Sequence, residues 1–113
     1  MEIQEVIAAW HAAVNAADET ALAAIVSADV ELSGPRGTTH GRDEVLAWIQ
    51  RAGITLVPTD WHPIGLDEVV VAESATWPGN SEVTPVFTRY RIAGGRIAAI
   101  QRFDTLHAAL AYP

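Results

Sequence analysis

The chain has 113 residues, the size of one domain, and half of them are hydrophobic, enough for a core that excludes disorder as the main state. A net charge of -7 argues against nucleic acid and anionic membrane surfaces, both of which favour a basic face. Cysteine is absent, which excludes disulfides, thiolate nucleophiles and thiolate metal sites. The segment Met1-Glu2-Ile3-Gln4-Glu5 is acidic where a signal peptide would be basic, and no apolar run reaches membrane-spanning length. The expectation is one cytoplasmic domain over residues 1–113.

Ile3, Val6, Ile7, Trp10 and Val14 recur at intervals of three and four, the stripe of an amphipathic helix from Ile3 to Ala17. Asp18 stands as an N-cap before Leu22, Ile25 and Val26, which predicts a second, short helix. Val30-Glu31-Leu32 reads as a brief strand stopped by Gly34-Pro35-Arg36-Gly37. A third helix is predicted from Arg42 to Arg51, ending at Gly53. From Ile54 the period changes to that of strands, predicted at Ile54–Ile64, Val69–Trp77, Val83–Ile92 and Arg96–Phe103, with turn residues between them. A helical stretch from Thr105 to Ala111 ends the pattern. Helices first and an antiparallel meander afterwards define the α+β class.

The stretch Trp10-His11-Ala12-Ala13-Val14-Asn15-Ala16-Ala17-Asp18, followed by Asp29-Val30-Glu31-Leu32, resembles the opening of SnoaL-like proteins and ketosteroid isomerases in the nuclear transport factor 2-like superfamily. Gly95-Arg96-Ile97 resembles their last hairpin. The resemblance implies a cone-shaped, curved antiparallel sheet wrapped around N-terminal helices, with an apolar pocket inside. It does not carry the isomerase chemistry. Those enzymes need a tyrosine on the first helix, an aspartate base after the first strand and a protonated aspartate on the penultimate strand. The matching positions here hold Trp10, Gly34 and Thr88. What remains implied is a small hydrophobic ligand, acted on without a cofactor by an isomerase, lyase or hydrolase. The alternative is a non-catalytic binding or dimerisation module with a closed core.

Turn positions fix strand register, and register fixes which side chains face the pocket. A tight turn at Gly94-Gly95 sets Tyr90 opposite Ala99, and Thr88 opposite Gln101. The same counting places Glu73, Asp60 and His62 inside, with Trp10, Val14 and Trp48 reaching in from the helices. A buried carboxylate beside an imidazole could act as a general acid/base pair, which makes Glu73, His62 and Asp60 the catalytic candidates. Glu73 could equally pair with an arginine, or its strand could be flipped. Trp10, Val14, Trp48, Thr88, Tyr90 and Gln101 are the ligand-binding candidates. Asp60-x-His62 is too sparse for a metal site, so none is expected. His11 is read as surface, and Asp104 as the N-cap of the last helix. The opposite face would carry Phe87, Arg89, Arg91, Ile100 and Arg102, a mixture of apolar area and guanidinium forks that suggests a homodimer interface.

Overall fold

The computed structural model describes residues 3–34 and 37–111. In chain order these residues form α1 (Ile3–Ala16), α2 (Glu19–Ile25), β1 (Val26–Gly34), β2 (Gly37–His40), α3 (Arg42–Ala52), β3 (Thr55–Pro63), β4 (Glu68–Thr76), β5 (Thr84–Ala93), β6 (Arg96–Phe103) and α4 (Leu106–Ala111). The strands make a single six-stranded sheet in the order β2-β1-β6-β5-β4-β3. It is curved and unclosed, and every pairing is antiparallel except that of β1 with β6. No helix among the described residues is long and apolar enough to cross a membrane.

Helix α1 buries Val6, Ile7, Trp10 and Val14 as its spacing predicts, and it packs against α2, β3 and β6. Asn15 ties it to the edge strand β3, donating from Nδ2 to the Leu56 carbonyl at 2.9 Å and accepting from the Leu56 N–H at 2.8 Å. One amide thus satisfies both backbone groups of a residue whose strand neighbours on only one side, and covers an edge that could otherwise pair with another chain. Helix α3 packs on β1 and buries Val45 and Ile49. It ends at Gly53, whose φ of 58° is left-handed and whose α-hydrogen side faces Pro78: a Cβ there would lie 2.9 Å from Pro78 Cγ. Glycine is required at that position on both counts.

Two β-bulges decide which side chains face inward. In the β5–β6 ladder Arg91 pairs with Ala99 but Ile92 pairs with Ile97, so Ala98 is the extra residue. Beyond it Tyr90 lies opposite Ile100, and Thr88 opposite Arg102. The even ladder expected from the glycine turn is therefore corrected by one residue. Gln101 turns to the convex side, while Ile100 and Arg102 face the core. In the β3–β4 ladder Pro58 pairs with Glu73 but Asp60 pairs with Ala72, leaving Thr59 as the extra residue. Asp60 and His62 then face outward, and Trp61 faces inward.

The expected interface patch is corrected by the same shift. Phe87, Arg89 and Arg91 lie on the convex face, and Ile100 and Arg102 on the concave one. Helix α4 packs over β4, β5 and β6, and Arg89 binds Glu68 through Nε at 2.8 Å and the Ala109 carbonyl through Nη1 at 3.0 Å. Val70, Ala99 and Ala109 are buried under this cover. Thr105, rather than Asp104, caps α4: its Oγ1 accepts from the Ala108 N–H at 3.1 Å. The segment read as a strand stop, Gly34 to Gly37, instead joins β1 to the short strand β2, with Gly34 and Gly37 paired.

Helix α1 ends in a Schellman motif, with Ala17 N–H donating to Val14 O and Asp18 N–H to Ala13 O, both at 3.0 Å. Ala17 carries φ = 50°, a left-handed conformation that penalises a Cβ. Ala17→Gly should therefore stabilise the fold by about 0.5–1 kcal/mol, read as a higher midpoint in urea at unchanged slope. A fall in the midpoint would show that the backbone entropy of glycine outweighs the relieved strain.

Candidate functional site

The concave face of β4 and β5 carries one carboxylate, Glu73, among mostly apolar neighbours. It is only 2% exposed, and three groups bind its carboxylate. Thr88 Oγ1 donates to Oε1 at 2.6 Å, and Tyr90 Oη donates to Oε2 at 2.6 Å. His11 Nε2 makes a short contact to the same Oε2. The strand is not flipped and no arginine is the partner; the imidazole comes from α1. A buried carboxylate is tolerable when its lone pairs are satisfied in this way.

The proton count of the pair follows from its geometry. His11 Nδ1 lies 2.9 Å from the Ile7 carbonyl oxygen, which can only accept, so Nδ1 carries a hydrogen. The contact between Nε2 and Oε2 needs a second hydrogen, held either by an imidazolium or by a carboxylic acid. In either state the pair is neutral overall, which lowers the cost of its burial. Tyr90 extends the network to the second α1 residue, because its hydroxyl accepts from Trp10 Nε1 at 3.0 Å. The rings of Trp10 and His11 each meet Tyr90 edge-on, with centroids 6.2 Å away.

In front of this network lies a cavity of about 770 Å³. Trp10, Thr88 and Tyr90 form its floor, and Trp48, Trp77, Ile54, Leu56, Val86 and Ile100 make apolar walls. Ser33, Thr38 and Thr39 of the β1–β2 hairpin stand at its polar end, with the exposed Glu44, Arg51 and Asp104. Neither Glu73 nor His11 lines it. Trp10, Thr88 and Tyr90 separate the carboxylate from the void. The Tyr90 and Thr88 hydroxyl hydrogens are both directed at Glu73, and the fully buried Tyr90 oxygen already accepts from Trp10, so the floor has no free hydrogen-bond donor.

The candidates from the sequence divide accordingly. Trp10, Trp48, Thr88 and Tyr90 line the cavity, and Glu73 backs its floor. Val14 is buried in the core but does not reach the cavity. Gln101 lies on the convex side and donates to Glu31 at 3.1 Å. His62 and Asp60 contact each other at 3.3 Å on the outer side of β3, remote from Glu73 in facing. Among the described residues no group of three His, Asp or Glu side chains is placed to hold a metal ion. His11, expected at the surface, is 5% exposed. The signal for it was present: it follows Ile7 by four and precedes Val14 by three, on the buried side of the helix.

Together these features describe a cone whose sheet and N-terminal helices enclose a pocket. The model of the SnoaL-like domain matches residues 7–100, and the chain belongs to that family. No curated protein sequence matches this one. Among solved structures it is similar to a nuclear transport factor 2-like protein from Cytophaga hutchinsonii, with 13% identity, a TM-score of 0.81, and coverage of 95% of this chain and 93% of that one. It is also similar to a computationally designed 17-OHP binder, with 17% identity, a TM-score of 0.80, and coverage of 92% and 91%. A third similar structure, from Catenulispora acidiphila, has a ketosteroid isomerase-like fold and a bound trimethylamine. It is 24% identical, with a TM-score of 0.73 and coverage of 98% and 92%. At these identities the likeness is one of fold.

Burial pushes the Tyr90 phenol well above the ordinary value of 10.0, and the adjacent Glu73 charge and hydrogen bond add to the shift. The folded state thus holds this proton more tightly than the unfolded chain. Its contribution to stability is complete below about pH 10 and is lost as pH climbs from there toward the folded-state value. Alkaline absorbance titration should show one of the two tyrosines ionising late, and in Glu73→Gln that late step should come at lower pH. Two ordinary phenol titrations in the native protein would contradict the network.

Proposed function

We propose that the protein binds a small hydrophobic molecule within the cone. The observation that carries this reading is the cavity of about 770 Å³ with three tryptophans in its walls, in a chain with four. Its volume falls in the range of roughly 300–1,000 Å³ typical of small-molecule sites, and mainly apolar walls with a few convergent polar groups are what such sites present. A core filled by its own side chains would leave no such space. The designed 17-OHP binder and the trimethylamine complex hold small molecules on the same fold, which supports the reading without naming the ligand.

The residues then divide the work. Trp48, Ile54 and Val86 supply contact area for the apolar body. Thr88 gives the floor a hydroxyl in a fixed position, and the Tyr90 hydroxyl lies just behind it. Glu73 acts as a positioning residue, holding both hydroxyls and anchoring α1 through His11. Any proton transfer between Glu73 and a ligand would have to pass through one of those hydroxyls, because they stand between them.

Val86 lines the void and is buried, so a larger side chain at its position projects into space. Calorimetry with naphthylethanol, a neutral bicyclic alcohol, should show saturable binding at one site. Val86→Phe should weaken it at least about tenfold while the melting temperature holds or rises. Absence of binding to the unaltered protein, or binding indifferent to Val86→Phe, would contradict the proposal.

A further inference from the structure

One cavity group is not accounted for by an apolar ligand. Arg102 faces inward because of the bulge at Ala98, and its guanidinium lies over the Trp77 ring, 5.4 Å from Cζ to the ring centre. Its Nε is buried with no hydrogen-bond partner. Among the described residues Arg102 makes no ion pair either; the carboxylates of Glu44 and Asp104 line the same cavity, yet neither lies within salt-bridge distance of it. A buried donor left unmade is costly, and a permanently charged one more so.

The other charged lining side chains, Glu44, Arg51 and Asp104, are all exposed. They sit in water, where two acids and one base at the rim leave a weak, screened field. Arg102 alone is partly buried, with its Nε fully covered, beside Thr88 in the β5–β6 ladder. With Cζ over the Trp77 ring and Nε covered, the edge carrying Nη1 and Nη2 is the available surface. That edge, with parallel N–H groups, matches the two oxygens of a carboxylate. The cavity floor offers a carboxylate no free donor, because the Trp10, Thr88 and Tyr90 hydrogens are all spent within the network. The acid group is thereby directed away from the floor and toward Arg102.

We propose that the ligand of this cavity is a monoanionic amphiphile, with an apolar body between Trp10, Trp48 and Val86 and a single carboxylate on Arg102. The inference rests on the small-molecule reading above and narrows its ligand to hydrophobic carboxylic acids. One unpaired, partly buried cation matches one negative charge. A second carboxylate would face the acidic rim or a floor without free donors.

The test compares naphthylacetic acid with naphthylethanol, which share the ring system and differ in the charged group. Calorimetry at neutral pH should give the acid at least about tenfold higher affinity, the scale of a charge-assisted bidentate pair. In Arg102→Gln that advantage should disappear while naphthylethanol binds as before; Arg102→Lys should retain part of it. The comparison in the unaltered protein stands even if a variant fails to fold. Equal affinity for the two compounds would overturn the assignment to Arg102 and leave the cavity reading intact. So would an acid preference that survives in a folded Arg102→Gln. Binding of neither compound would overturn the cavity reading, and this inference with it.

Discussion

A carboxylate cannot be left bare inside a protein, and the placement of Glu73 imposes that condition on the elements around it. Its three partners come from α1 and from β5, the strand next to its own. The first helix is therefore fixed to the concave face by a specific polar contact, in addition to the apolar stripe that any amphipathic helix could offer. His11 is held in turn by the carbonyl one turn back, and Tyr90 by the indole of Trp10. Polar networks of this kind favour one arrangement of packed elements over its near neighbours, since a slipped helix would leave each member unsatisfied. That rigidity is what makes a stable void possible in so small a domain.

The void itself depends on the sheet bending away from the helices. The extra residues Thr59 and Ala98 interrupt the two ladders on either side of the β4–β5 pair. Bulges increase local twist and bend the strand that carries them. They also change what the bent surface presents. After Ala98, the alternation places Ile100 and Arg102 inside, so the same irregularity that bends the sheet installs the partly buried cation of the cavity. Helix α4 covers the outer surface over Val70 and Ala99, which explains why both are buried on the convex face.

The order of elements and most of their limits were legible in the sequence, because helix stripes, the Asp18 cap and the glycine turns are local signals. Asp18 does accept from the Ala21 N–H, and Gly53 does end α3. Glu73 and its neighbours on β4 face inward as alternation from the turn implies. Facing failed beyond the bulge at Ala98, and on β3 between the turn and the bulge at Thr59, where Pro63 rather than Ile64 pairs with Val69. Those shifts put Arg102 inside in place of Gln101 and turn Asp60 and His62 outward. Nothing in Pro58-Thr59-Asp60 or Ile97-Ala98-Ala99 marks a bulge, since neither contains the glycine that often signals one. The parallel pairing of β1 with β6 and the short strand β2 joined by Gly34 and Gly37 were equally hidden, because they depend on distant partners. His11 was missed for a different reason: polarity was weighed above helical position.

The central claim is that the space between the helices and the sheet is a binding site. Trp10, Trp48 and Trp77 line that space, whereas Trp61 contacts His11 on the far side of the floor. Four indole N–H signals should be resolved in a nitrogen–proton correlation spectrum, and adding naphthylacetic acid should move those of Trp10, Trp48 and Trp77 together along one saturation curve. The signal of Trp61 should hold its position. If Trp61 alone shifts, or if no indole signal responds at saturating ligand, the cavity is not where this protein binds small molecules.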